Sequence, residues 1–128
     1  IEASETVEPG DVVEIDPINA DQYRLVQSAN SPLVAGVIST APGMILGDQG
    51  GLNGAEDTRP QLAMAGTVPV KVCDEGGPIQ PGDLLVASST PGRAMAAPDD
   101  PAAGTVIGKA LGSLESGEGT IKMLVMLR

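Results

Sequence analysis

The residue types that usually carry out acid-base and nucleophilic catalysis are scarce in this sequence. No histidine is present, so the commonest general base and transition-metal ligand is missing, and Ser-His-Asp and Cys-His catalysis are excluded. Cys73, the single cysteine, needs a lysine or carboxylate beside it to act as a nucleophile. It follows Val68, Val70 and Val72, which alternate with other residues as in a strand, so we expect an inert thiol.

Other catalytic pairs are formally available, but no spacing selects one. Asp99 and Asp100 are adjacent, yet prolines flank them, which indicates a solvated loop. The Asp-Thr-Gly triplet of aspartic proteases is absent. A Ser-Lys dyad could be drawn from Lys71, Lys109 and Lys122 with Ser39, Ser88 and Ser89.

The longest irregular segment, residues 47–60, carries several oxygen donors. A calcium loop needs about six to eight such oxygens at defined spacing, and the EF-hand pattern is not met. The segment also lacks the lysine of a phosphate-binding loop. We therefore expect a surface loop and predict no metal, cofactor or catalytic residue in the chain. The donors are Asp48, Asn53, Glu56 and Asp57.

The phrase Pro-Gly-Asp followed by two branched aliphatic residues occurs twice. Proline presets φ for the second position of a type II turn, glycine accepts the positive φ of the third, and aspartate can bond back to the turn's amides. Each phrase therefore predicts a structural turn that begins a buried strand. The turn residues are Pro9, Gly10 and Asp11, and then Pro81, Gly82 and Asp83.

Short runs of Val, Leu and Ile separated by Gly and Pro predict an all-β fold with little or no helix. We expect a compact small barrel or a β-clip-like domain of short strands. Pro69 places its strand at an edge or a bulge, and the last two strands should pair as a terminal hairpin. The strands are predicted near 12–16, 22–27, 33–39, 62–73, 84–88, 93–97, 105–111 and 120–127.

Two separate motifs recur at one offset of 72 residues. Pro9-Gly10-Asp11 matches Pro81-Gly82-Asp83, and Val34-Ala35-Gly36 matches Val106-Ile107-Gly108. An offset shared across the 22 positions between the two motifs suggests an internal duplication whose halves pack about a pseudo-twofold axis.

The composition restricts the partners. A net charge of −10 repels nucleic acid, and a single aromatic residue, Tyr23, offers no platform for stacking bases or sugars. No apolar run approaches the roughly 20 residues needed to cross a bilayer, so we expect no membrane insertion.

We predict one domain over residues 1–128 and, since no initiating Met is present, a processed chain or the C-terminal domain of a longer protein.

The final segment is apolar on both faces. Met123 and Val125 alternate with Leu124 and Met126, and a strand of this kind is either central to a two-layered core or covered by a neighbouring subunit. We predict a subunit contact formed by Leu124 and Met126, with Met123 or Val125 turned inward, although either face could be the buried one.

Several phrases together resemble a known family. "EPGDVVEID", "SPLVAGVISTAPGMILGD", "AMAGTVPVKV", "GPIQPGDLLVASSTPGRAMAA" and "GTVIGKALGSLESGEGTIKMLVMLR" are similar to the C-terminal β domain of bacterial surface and tail-fibre-like proteins. A more distant similarity is to the autocleaving intramolecular-chaperone domain of phage tail appendages. The resemblance implies a homotrimer that aligns an upstream fibrous region of the parent chain, at a virion or cell surface.

Three functions follow as expectations. The first is a non-enzymatic trimerisation and assembly module, whose partner is itself. The second is a self-cleaving protease domain after its cut; the resemblance implies a serine and an acidic residue near the N-terminal border, where Ser4 and Glu5 are the only such pair and no family motif surrounds them. The third is a virion decoration or head-fibre protein.

Overall fold

The computed structural model describes residues 2–3, 5–39 and 61–128, and every regular element within them is a strand. Eight strands overlap the ranges that the sequence predicts. A two-residue strand at the N-terminus was not predicted, because two residues carry no periodic pattern. The strands are β1 Glu2–Ala3, β2 Val12–Ile15, β3 Gln22–Leu25, β4 Val34–Val37, β5 Thr67–Cys73, β6 Leu84–Ala87, β7 Ala94–Ala96, β8 Val106–Ala110 and β9 Glu118–Val125.

The strands form an open sheet and a closed barrel. The sheet has the order β1-β3-β2-β4, and the barrel has the order β5-β7-β6-β8-β9. The predicted all-β small barrel is therefore confirmed. The terminal hairpin is also confirmed, since β8 and β9 pair antiparallel. The prediction of one strand over 62–73 was wrong: Leu62 makes only an isolated bridge to Ile38, and β5 begins after Gly66, whose positive φ of 81° interrupts the extended backbone.

The sheet and the barrel repeat the same strand pairing at an offset of 72 residues. In each, a central strand pairs antiparallel with the two strands that follow it in the chain. The register with the second of these strands is identical, including a β-bulge at the same place. The pairs are Val12↔Val37, Val13↔Gly36 and Glu14↔Val34 in the sheet, and Leu84↔Lys109, Leu85↔Gly108 and Val86↔Val106 in the barrel.

The two Pro-Gly-Asp turns have the predicted geometry. Gly10 and Gly82 adopt φ values of 91° and 95°. In both turns the aspartate amide donates to the carbonyl oxygen three residues earlier at 3.0 Å. The carboxylates of Asp11 and Asp83 accept from the amide of that same residue, at 2.8 and 2.9 Å. A glycine is required because L side chains disfavour these φ values.

Pro69 lies at a partial edge of the barrel. Its strand pairs along its length with β9, but with β7 only at Val72. The amide of Lys71 points away from β9 and donates to Gly10, so the nitrogen of Pro69, two residues earlier, points the same way. The missing donor therefore faces the side on which β5 has no strand partner at that point, as predicted for an edge.

One apolar cluster joins the sheet to the barrel. It consists of aliphatic side chains and alanines, as the near absence of aromatic residues requires. Val12, Val26 and Val37 from the first repeat pack in the same cluster as Leu85, Ile107 and Met123 from the second. Burial of each of these larger side chains contributes roughly 1.5–3 kcal/mol.

A polar network is buried in the first repeat. The carboxylate of Glu14, whose side chain is 2% exposed, accepts from Nε of Arg24 at 2.7 Å and from Oγ of Ser31 at 2.7 Å. Arg24 is the cross-strand partner of Glu14 on β3. In the second repeat the corresponding cross-strand pair is apolar, Val86 with Met95. The network therefore distinguishes two otherwise matched strand pairs.

Candidate subunit interface

The last strand, β9, turns one face to the core and the other to solvent. Ile121 and Met123 are buried, with Met123 only 1% exposed, and Val125 packs against the same cluster. Lys122 and Leu124 point outward and are exposed. Among the residues predicted for a subunit contact, Met123 and Val125 thus take the inward positions, and Leu124 lies on the surface. Met126 is half-buried, just beyond the strand.

The strand register extends the outward face of β9 across the barrel. Leu124 lies opposite Thr67 on β5 and opposite Lys109 on β8. Lys109 in turn lies opposite Leu84 on β6. Because cross-strand partners project from the same side of a sheet, these four side chains form one row on the outside of the barrel.

A second row lies beside the first. Pro69 and Lys122 are cross-strand partners two residues along β5 and β9. Leu111, two residues after Lys109, donates its amide to the carbonyl oxygen of Lys122 at 2.9 Å, and its side chain is 47% exposed. We name this surface the outer face; it comprises Thr67, Pro69, Leu84, Lys109, Leu111, Lys122 and Leu124.

All three lysines of the chain project from this side of the barrel, although the net charge is −10. Lys71, opposite Thr120, is neutralised by ion pairs with Glu8 and with Asp11, the latter at 2.9 Å. In the described part of the chain, neither Lys109 nor Lys122 has a carboxylate within ion-pair distance. The outer face therefore combines exposed leucines with two uncompensated positive charges.

The ion pairs of Lys71 shift the titration of the groups involved. The hydrogen bond from Lys71 and its charge lower the pKa of Glu8 below its ordinary value of 4.5. Burial by itself lowers the pKa of Lys71, but hydrogen bonds and charges from Glu8 and Asp11 outweigh it and raise that pKa above 10.5. Both shifts favour the charged pair in the folded chain.

Acid should weaken the ion pair between Lys71 and Glu8, and Lys71→Met should remove the resulting dependence of stability on pH. A lowered carboxylate pKa stabilises the fold at pH values above about 4.5 and ceases to do so as the pH falls through the lowered pKa. The contribution of Lys71 is present below pH 10.5 and is lost as the pH rises through its raised pKa. Between pH 6 and pH 3, the free energy of unfolding measured by urea denaturation should therefore fall less steeply in Lys71→Met than in the parent chain. An equal decrease of the unfolding free energy with falling pH in both chains would contradict the pairing of Lys71 with Glu8.

A cleft of about 510 Å³ borders the outer face. Five of its seven lining residues are apolar, and Leu84, which it shares with the outer face, marks the boundary. Asp100 lies in the cleft, and Asp99 beside it is exposed. The remaining lining residues are Pro101, Ala102, Ala103, Val106 and Arg128.

The structure assigns structural roles to the residues considered for catalysis. Cys73 is buried against Val86, Met95 and Val106, which agrees with an inert thiol. Asp11 and Asp83 close their turns.

Two of the serines considered for a Ser-Lys dyad form hydrogen bonds with groups other than lysine. Ser88 donates to the carbonyl oxygen of Arg93 at 2.7 Å, and Ser89 donates to Glu75 at 2.8 Å. Glu5 accepts from the amide of Leu25, and Ser4 lies outside the described residues.

The described residues contain no group of three or more Cys, Asp or Glu side chains placed to hold a metal ion. The oxygen donors predicted between residues 47 and 60 lie outside that part of the chain. Where the structure is described, no helix is long and apolar enough to cross a membrane.

The sequence pattern indicates Leu124 as a contact residue but not the lysines and leucines around it. Lys109 lies on β8, Leu111 just after it and Lys122 on β9, and only the pairing of these segments brings them beside Leu124. Comparison with protein-family models, curated proteins and solved structures finds no match for this chain.

Proposed function

We propose that this chain is a non-enzymatic assembly module that associates with copies of itself through the outer face of its barrel. Association brings the chains attached to each module into register. The stoichiometry we propose is three, and the attached chain is the fibrous region of a tail-fibre-like or surface protein.

One observation carries the proposal: the C-terminal hairpin places exposed leucines, Leu111 and Leu124, on a strand face whose other side is already filled by the core. Covering apolar surface is favourable by roughly 25 cal/mol for each Å² removed from water. Clustered apolar side chains on one side of a small β domain are typical of contact surfaces.

The stoichiometry and the parent protein rest on a different support. Five phrases, quoted above and spread over most of the sequence, resemble C-terminal domains of tail-fibre-like proteins, and that resemblance implies a trimer. The absence of histidine from the whole sequence favours assembly over catalysis.

The solution mass of the 128-residue chain tests the proposal. Light scattering coupled to gel filtration at tens of micromolar chain should give three times the 12.8 kDa of one chain. A dilution series into the nanomolar range, followed by mass photometry or fluorescence anisotropy of a labelled chain, then gives the dissociation constant. A mass of one chain at tens of micromolar would contradict the proposal.

A further inference from the structure

We infer that copies of this chain associate head to tail, with the lysine-bearing outer face of one copy against the acidic cleft of the next. This inference rests on the proposed function, since it specifies how the copies meet. It is drawn from the distribution of charge on the described surface.

The outer face is poorly suited to contact a second outer face. A symmetric face-to-face contact would bring Lys109 and Lys122 of one copy toward the same lysines of the other. Neither lysine has a carboxylate partner within its own described chain to screen that repulsion. Like charges brought together at a contact cost several kcal/mol, so an isologous contact is disfavoured.

The cleft offers the complementary charge. Asp99 and Asp100 have no hydrogen bond or ion pair among the described residues, in contrast to Asp74, Asp83 and Glu118, which do. Asp100 and Arg128 line the cleft, and the exposed Asp99 lies beside it, so the cleft and its margin together carry two carboxylates and one cation. The local balance is negative and attracts the free lysines of a neighbouring copy.

The apolar parts of the two surfaces also match. The cleft is lined by Leu84, Pro101 and Val106, and its volume of about 510 Å³ has room for aliphatic side chains. Leu111 and Leu124 are the exposed leucines of the outer face. A neighbouring copy would place these leucines in the cleft while its lysines meet Asp99 and Asp100 at the margin.

The position of the two surfaces favours a small closed ring. Leu84 belongs to the cleft and also lies beside Lys109 in the barrel row, so the two surfaces adjoin along one line. Heterologous contacts close into rings when the rotation between neighbours permits it. Because the two contact surfaces adjoin at Leu84, successive copies would meet at an angle rather than in a straight line, as a ring of few members requires.

Charge reversal with rescue tests the inference. Lys109→Glu with Lys122→Glu should weaken association at least about tenfold, and so should Asp99→Lys with Asp100→Asn. Asparagine is used at residue 100 because the backbone there has a φ of 51°, which asparagine tolerates. The chain with all four substitutions should recover a large part of the lost affinity, because opposite charges again meet across the contact.

Two measurements complete the experiment. Raising the salt concentration from 50 mM to 1 M should weaken association of the parent chain, because the pairs are solvent-accessible. Asp21→Asn is the control for loss of an exposed carboxylate away from both surfaces, since Asp21 lies in the β2–β3 turn and has no charged partner in the described chain. It should leave the mass unchanged.

The outcomes separate the two proposals. An oligomer that persists in both double variants and does not respond to salt would overturn the head-to-tail contact, while the assembly function would stand. Double variants that dissociate without rescue in the fourfold variant would also overturn it, provided that circular dichroism shows the fourfold variant to be folded. A monomeric parent chain would overturn both.

Discussion

Leu124→Asp is expected to dissociate the assembly, raising its dissociation constant by about a thousandfold or more. The substitution removes an apolar side chain worth roughly 1.5–3 kcal/mol at a covered contact and places a carboxylate there that costs several kcal/mol to desolvate. In the separate chain the same carboxylate is tolerated, because residue 124 is 37% exposed and its cross-strand partner is Lys109. Light scattering should then give the mass of one chain at a concentration where the parent chain is oligomeric.

Ile18→Asp provides the matched control. Ile18 is 81% exposed in the turn between β2 and β3, so it tests the same change from apolar to acidic away from the outer face. It should retain the parent mass, and both variants should unfold near the temperature of the parent when compared as monomers at high dilution. An oligomeric Leu124→Asp chain, or equal dissociation by Ile18→Asp, would argue against the outer face as the contact.

Glu14→Val alone is expected to destabilise the fold by about 3 kcal/mol, while Glu14→Val combined with Arg24→Met should restore most of the loss. Removing one member of a buried ion pair leaves the other charge uncompensated, and here it also deprives Ser31 of its acceptor. Replacing both members with apolar residues is often neutral or stabilising. The choice of Val and Met copies the pair that the second repeat carries at Val86 and Met95.

Urea denaturation of the parent, the two single variants and the double variant gives the coupling free energy between Glu14 and Arg24. Arg24→Met alone should cost more than Glu14→Val, because it leaves the charge on the more deeply buried partner; the side chains are 2% exposed for Glu14 and 23% for Arg24. A double variant no more stable than Glu14→Val would mean that the two repeats are not interchangeable at this pair.

Much of the fold could be predicted because its signals are local. Alternating aliphatic residues between Gly and Pro located eight strands, and the chemistry of Pro-Gly-Asp predicted both turns with their positive φ and their aspartate hydrogen bonds. The offset of 72 residues that separates Gly36 from Gly108 also separates their strand partners, since Val13 pairs with Gly36 and Leu85 pairs with Gly108. The repeated pattern of residues therefore specified a repeated pattern of pairing.

The buried position of Glu14 could not be predicted. In "DVVEID" the glutamate follows two valines and precedes Ile15, so alternation does not mark it as an interior residue. Its burial depends on Arg24, ten residues later, and on Ser31, which come beside it only when β2 pairs with β3 and with β4. Because these partners are 10 and 17 residues away in the sequence, no local pattern predicts the burial of Glu14.

The strands, the turns, the inventory of reactive side chains and the two-faced character of the last strand could be predicted from the sequence, because they depend on residue type and on short-range backbone preference. Which face of that strand is turned to solvent, and what lies beside it, depends on tertiary contacts. Closure of the barrel buries Met123 and leaves Leu124 outside, and the register of β8 with β9 brings Lys109 next to it. Register is a relation between distant segments, and it converts scattered lysines and leucines into one surface.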